Sequence, residues 1–112
     1  MIKLEFEVTP IPRKRMELHQ TLDYLASDMQ DCCSHFEFFQ SGNSMIFFIS
    51  LNFSCEEQLY NVIKNEKMGV LSGAISSLCE ANEIYLNGIK INELSVMEFK
   101  RVHNVKKEKS IF

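Results

Sequence analysis

His35 and Glu37 stand two residues apart in the run CCSHFEFFQ, so on an extended chain the imidazole and the carboxylate project from one face. A histidine oriented by a carboxylate is suited to general-base work near neutral pH. Asn52 and Tyr85 fall on segments that read as strands and would join the pair across a sheet as hydrogen-bonding groups, which makes His35, Asn52 and Tyr85 the candidate catalytic set. The same residues also suit a hydrogen-bonded cluster under a covering protein surface, because polar groups on a half-buried face need partners. Two ligating groups are too few for a metal centre, and none is expected. Cys55 falls in the first turn of an expected helix, where the helix dipole favours a thiolate. No histidine pairs with it in the pattern, so structural use is the expectation. His19 and His103 fall on expected surface positions, and Tyr24 and Tyr60 at helix margins.

The elements that must position these groups follow from periodicity. Ile2, Leu4, Phe6 and Val8 alternate with Lys3, Glu5 and Glu7, which is the period of a strand ended by Pro10 and Pro12. Leu18, Leu22, Leu25 and Met29 recur at helical spacing within 13–30. Two further strands, over 33–40 and 45–53, flank the turn Ser41-Gly42-Asn43-Ser44 and make a hairpin. Ser54 stands three residues before Glu57, a capping-box spacing that starts a helix with Leu59, Val62 and Ile63 inside. Met68, Leu71, Ile75 and Leu78 continue at helical spacing, with Gly69 and Gly73 as candidate break points, and 83–91 reads as the last strand. The order is β-α-β-β-α-β. Residues 93–112 fall outside it, as a basic, partly ordered tail with a short helix or as an arm crossing to a second copy; the unit is expected to fold without them.

Alternation divides the sheet into two faces. Leu4, Phe6, Phe36, Phe38, Phe47, Ile49, Leu51, Phe53, Ile84 and Leu86 would face the helices, and this apolar set either fills the core or encloses a flat ligand. Glu5, Glu7, His35, Glu37, Phe39, Phe48, Ser50, Asn52, Tyr85 and Asn87 would lie on the other face, where Phe39 and Phe48 suit a second protomer's sheet better than water.

Composition narrows the classes. The 112 residues are 46% hydrophobic and fit one domain. Residues 1–92 hold 7 Lys/Arg against 12 Asp/Glu, and 93–112 hold 5 against 3. An acidic body disfavours nucleic acid, since backbone affinity rests on basic side chains. No leader pattern and no apolar run of ~20 residues is seen, so neither secretion nor a membrane span is expected and a cytoplasmic protein is. Cys32, Cys33, Cys55 and Cys79 do not pair by spacing and are expected as buried free thiols.

Over residues 1–92 the chain resembles the antibiotic biosynthesis monooxygenase (ABM) domain. The opening VTPIPRKRMELHQTL is similar to that family's first strand and helix, CCSHFEFFQ to its second strand, and FSCEEQLYNVIKNEKMGVLSGAI to its third-strand exit and helical pair. Asn65 to Ala74, N-E-x-M-x-x-L-x-G-A, is the best local match. The resemblance implies a ferredoxin-like α+β unit with a four-stranded antiparallel sheet, two copies of which form a dimeric α+β barrel. It implies cofactor-independent oxygenation of a small aromatic phenol or quinol in a dry pocket, here assigned to Phe6, Phe36, Phe47, Phe53, Tyr60, Met68 and Leu71. Phe53 stands where such proteins commonly carry tryptophan, and Val62 and Lys67 where they carry histidines. Haem-degrading relatives would need tryptophan and histidine where this chain has Val62 and Ser72, so no haem is expected. The alternative is a catalytically degenerate homodimeric module that binds a small apolar molecule.

Overall fold

A computed structural model of the chain describes residues 1–42 and 44–102. The expected roles of Asn43, His103 and the terminal KKEK stretch fall outside those residues. In chain order the elements are β1 (Ile2–Pro10), a 3-10 turn (Pro12–Lys14), α1 (Arg15–Met29), β2 (His35–Gln40), β3 (Phe47–Phe53), α2 (Glu56–Ile63), α3 (Glu66–Leu78), β4 (Cys79–Leu86) and β5 (Ile89–Ile91). Residues 96–102 form a further helix.

The strands make one antiparallel sheet in the order β2-β3-β1-β4-β5. Its first four strands are the expected ferredoxin-like arrangement. The fifth is a correction: the segment read as one strand over 83–91 is a hairpin. Asn87 (φ 51°) and Gly88 (φ 83°) both take positive φ, the requirement of a tight two-residue turn that Asn-Gly meets readily, and the chain folds back so that Leu86 pairs Ile89. β4 in turn begins at Cys79, directly after α3.

The register places the faces as alternation predicts. Leu4 pairs with Leu51 and Leu86, Phe6 with Ile49 and Ile84, and Phe36 and Phe38 face Leu51 and Ile49 from the edge. This apolar face packs on Leu18, Leu22, Leu25 and Met29 of α1 and Met68, Leu71 and Ile75 of α3. Burial of each such side chain contributes roughly 1.5–3 kcal/mol, which is what holds the two layers together.

Two helix boundaries differ from expectation, each for a local reason. The break between α2 and α3 is at Asn65, whose side chain accepts from the Lys67 N–H at 2.9 Å as an N-cap, while Gly69 and Gly73 both lie inside α3. At α2 the Ser54 hydroxyl does not cap the helix. The Gln58 carbonyl oxygen instead accepts from the Ser54 N–H at 2.8 Å, and Cys55 takes the N-cap position. A working capping pair lies in the tail, where the Ser95 hydroxyl accepts from the Glu98 N–H at 3.1 Å and the Glu98 carboxylate reaches back to the Asn92 N–H at 3.1 Å.

That pair matters because it anchors a helix that belongs to the core. Phe99 and Val102 are each 1% exposed and join the same apolar cluster as Leu4 and Leu59. The core therefore extends past the unit read from periodicity, to Phe99 and Val102. Arg101 clasps Glu98 at 3.0 and 3.1 Å, and these bonds, with that from Asn92, hold the Glu98 carboxyl below its usual pKa. A carboxylate with a lowered folded pKa stabilises above its unfolded pKa and loses that contribution as pH falls through the folded value. The 96–102 helix should accordingly gain amide-exchange protection as pH rises from below the folded-state pKa of Glu98 through the ordinary carboxylate range, and Glu98→Gln should remove that step. An identical pH profile in the variant would show that Glu98 does not hold the helix.

Candidate functional site

The helices leave several grooves along their seam with the sheet. One, of about 200 Å³, runs between α3, β1 and β4, floored by Phe6 and Ile84 and walled by Ser72, Ile75, Ser76, Asn82 and Leu94. A smaller one, of about 120 Å³, continues beside it between Leu4, Val62, Met68 and Phe99, and shares Ser72 and Leu94 with its neighbour. Gly69 and Ser72, small residues of α3, line these grooves beside the larger Met68 and Ile75, while Leu71 is fully buried in the core. Ser72, Ser76 and Asn82 can hydrogen-bond a ligand oxygen. None of them titrates near neutral pH.

The residues assigned to a pocket from sequence are not gathered in one cavity. Phe6 lines the larger groove and Met68 the smaller, while Tyr60 borders a third beside Phe99 and Val102, where burial raises its phenol pKa. Phe47 floors a fourth near α1. Phe36, Phe53 and Leu71 are at most 4% exposed and serve as core filling.

The candidate catalytic residues lie on the opposite, open face of the sheet. His35 Nε2 is 3.3 Å from Glu37 Oε2, and Asn52 is the cross-strand neighbour of His35. Tyr85 is three strands away, about 14 Å by the spacing of paired strands, so the sheet brings together His35, Glu37 and Asn52 but not Tyr85. The Tyr85 hydroxyl donates to Glu83, a bond that pushes its pKa up to about 12 and lowers that of Glu83. At neutral pH it is a committed donor rather than a base. His35 is 54% exposed, as is Glu37, and neither lines any of the grooves described above.

Two further features of the open face bear on partners. Phe39, 55% exposed, stacks on Phe48 with ring centroids 5.3 Å apart. Lys3 pairs Glu5 at 3.8 Å and Lys90 pairs Glu83 at 3.3 Å, so much of the acidic charge on this face is compensated within the chain.

His19 has more structure around it than an exposed helical position suggests. Its Nδ1 is 3.2 Å from Asp23 Oδ2, and its ring meets Phe38 edge-on at 5.5 Å, beside the Phe47 groove of about 330 Å³. The i,i+4 spacing of His19 and Asp23 was readable from the sequence; the aromatic neighbours come from β2 and β3 and were not.

The cysteines are all free among the described residues; against the expectation of burial Cys55 is exposed, because it takes the N-cap position of α2 at the surface. Burial pushes the thiols of Cys33 and Cys79 up to about 11, and also raises that of Cys32. These three are protonated at neutral pH and are poor nucleophiles. No group of three or more potential metal ligands occurs among the described residues. No helix among them is long and apolar enough to cross a membrane.

No family model matches the sequence, and no curated protein does. Solved structures do match its fold. A crystal structure of an antibiotic biosynthesis monooxygenase superposes with a TM-score of 0.68 at 13% identity, covering 77% of this chain and 95% of the other. A conserved Bacteroides thetaiotaomicron protein, described as a possible oxidoreductase, gives 0.69 at 18% identity over 80% and 96% of the two chains. Rv0793 from Mycobacterium tuberculosis gives 0.69 at 13% identity over 84% and 98%. The chain thus has the ferredoxin-like α+β fold of these proteins over nearly their whole length. Identities at this level speak to the fold and leave the chemistry to the residues.

Proposed function

We propose that this chain takes up a small aromatic phenol or quinol in the groove between α3 and the sheet and oxygenates it with O2, without a cofactor. The reading is carried by that groove: an apolar floor of Phe6 and Ile84 for a ring, with Ser72, Ser76 and Asn82 placed to hydrogen-bond its oxygen, on a fold shared with a structure named as a monooxygenase. A hydroquinone would take one oxygen atom at a ring carbon and end as the hydroxyquinone, and the other oxygen atom would leave as water with two of the substrate's hydrogens. No lining residue of this groove is a base near neutral pH. Ionisation then depends on the acidity of the substrate itself, and the activity should be slow, since a general base typically contributes about 10²–10⁴-fold.

Oxygen uptake with hydroquinones, in metal-free and flavin-free buffer, should exceed the protein-free rate, and Asn82→Leu should reduce it. The second reading is a module that binds such a molecule without turning it over, favoured by the absence of a titratable group in the groove. Uptake no faster than the blank, with an aromatic ligand still raising the melting temperature, would establish the second reading and reject the first.

The partner in either case is a second copy of the chain, docked through the open sheet face. The stacked Phe39–Phe48 pair and the internally paired charges support this. Four free cysteines fit the reducing cytoplasm.

A further inference from the structure

Leu94 lies in the bend before the C-terminal helix, half-buried, and is common to the two adjoining grooves of about 200 and 120 Å³. Ser72, the other shared residue, comes from α3 on the opposite side. We propose that Leu94 is the specificity-determining residue of this site: a partition, supplied by the C-terminal segment, that limits the ligand to a single aromatic ring. The inference rests on the groove being the ligand site, and concerns which molecules it admits.

The partition is held in place rather than draped over the surface. On its C-terminal side, Glu98 ties back to the Asn92 N–H and to Ser95, so the bend 92–95 that carries Leu94 is closed at both ends by hydrogen bonds. Phe99, 1% exposed, roots the same segment in the core and walls the smaller groove. The floor beneath is continuous, because Leu4 and Phe6 are alternate residues of one strand face. Replacing Leu94 by alanine removes the side chain between the compartments and leaves an elongated apolar slot, with Ser72 at its middle and Asn82 at one end. A fused three-ring phenol matches such a slot, gaining the burial of its added rings, whereas the wild-type compartment accommodates one ring.

The test uses the full chain and two probes, hydroquinone followed by calorimetry and 1,8-dihydroxyanthraquinone followed by its own absorbance, so that neither depends on turnover. Wild type should bind hydroquinone and bind the three-ring probe weakly. Leu94→Ala should tighten the three-ring probe about tenfold or more while changing hydroquinone by less than about threefold. Leu94→Phe, which keeps an apolar plug at the position, should show no such gain. Equal three-ring affinity in wild type and Leu94→Ala overturns the partition while leaving the groove as a ligand site, provided hydroquinone binds. Absence of binding by both probes to all three proteins overturns the groove itself, and the partition with it. Far-ultraviolet circular dichroism and melting of each variant report whether the fold is intact; should Leu94→Ala melt early, the Leu94→Phe comparison decides, since a three-ring gain there would also refute the partition.

Discussion

Phe99→Ala should lower the stability of the domain by about 3–5 kcal/mol, the usual consequence of removing a fully buried phenyl ring from a packed core. Phe99 is 1% exposed, and it sits among Leu4, Val62 and Met68, which are themselves no more than 3% exposed, so little can collapse into the space it leaves. For a domain of this size each kcal/mol corresponds to roughly 4–8 °C in Tm, so the expected fall is on the order of 12–40 °C. Met97, 82% exposed on the same short helix, provides the control: Met97→Ala should stay within about 0.5 kcal/mol of wild type. Chain termination after residue 91 removes Phe99 and Val102 together and should be worse than the point variant. Should the shortened chain melt cooperatively at the wild-type temperature, residues 96–102 would have to be regarded as an ornament and not as part of the core.

Phe39→Ala combined with Phe48→Ala should convert a dimer into a monomer at micromolar concentration. Stacked aromatic side chains on an otherwise polar face, here on edge strand β2 and its neighbour β3, are the kind of residue whose truncation costs about 2 kcal/mol or more at an interface, a loss of roughly 30-fold in affinity. The monomer's own stability should change little, because Phe39 is 55% exposed and the pair lies outside the core between sheet and helices. Sedimentation of wild type and variant across concentration reads the first effect, and thermal melting of the variant at low concentration reads the second. A wild-type chain that sediments as a monomer throughout would dispose of the sheet-to-sheet dimer.

Side-chain alternation carried much of the fold. The helix-facing residues of all four long strands were assigned from period alone, and the register confirms each of them, because a strand offers only two faces and one must be apolar. The Leu18-Leu22-Leu25-Met29 stripe is likewise the buried side of α1. Where several local signals competed, the sequence was less decisive. Asn87-Gly88 was legible as a turn, yet it interrupts a run of apolar residues that also reads as one strand; only the pairing of Ile84 with Ile91 distinguishes the two. Ser54 and Glu57 have capping-box spacing and do not form one, while Ser95 and Glu98 share that spacing and do cap a helix.

The order β-α-β-β-α-β of the first four strands and their helices, the polarity of each face, the acidic character of the body and the free state of the thiols were thus determined by the sequence itself, since each depends on neighbours two to four residues apart or on composition. The location of the grooves, the distance between His35 and Tyr85, the aromatic setting of His19 and the docking of Phe99 were decided only by tertiary structure. Each of these depends on which strand lies beside which and on how closely α1, α3 and the C-terminal helix approach the sheet. Such contacts join residues far apart in the chain, and no local period encodes them.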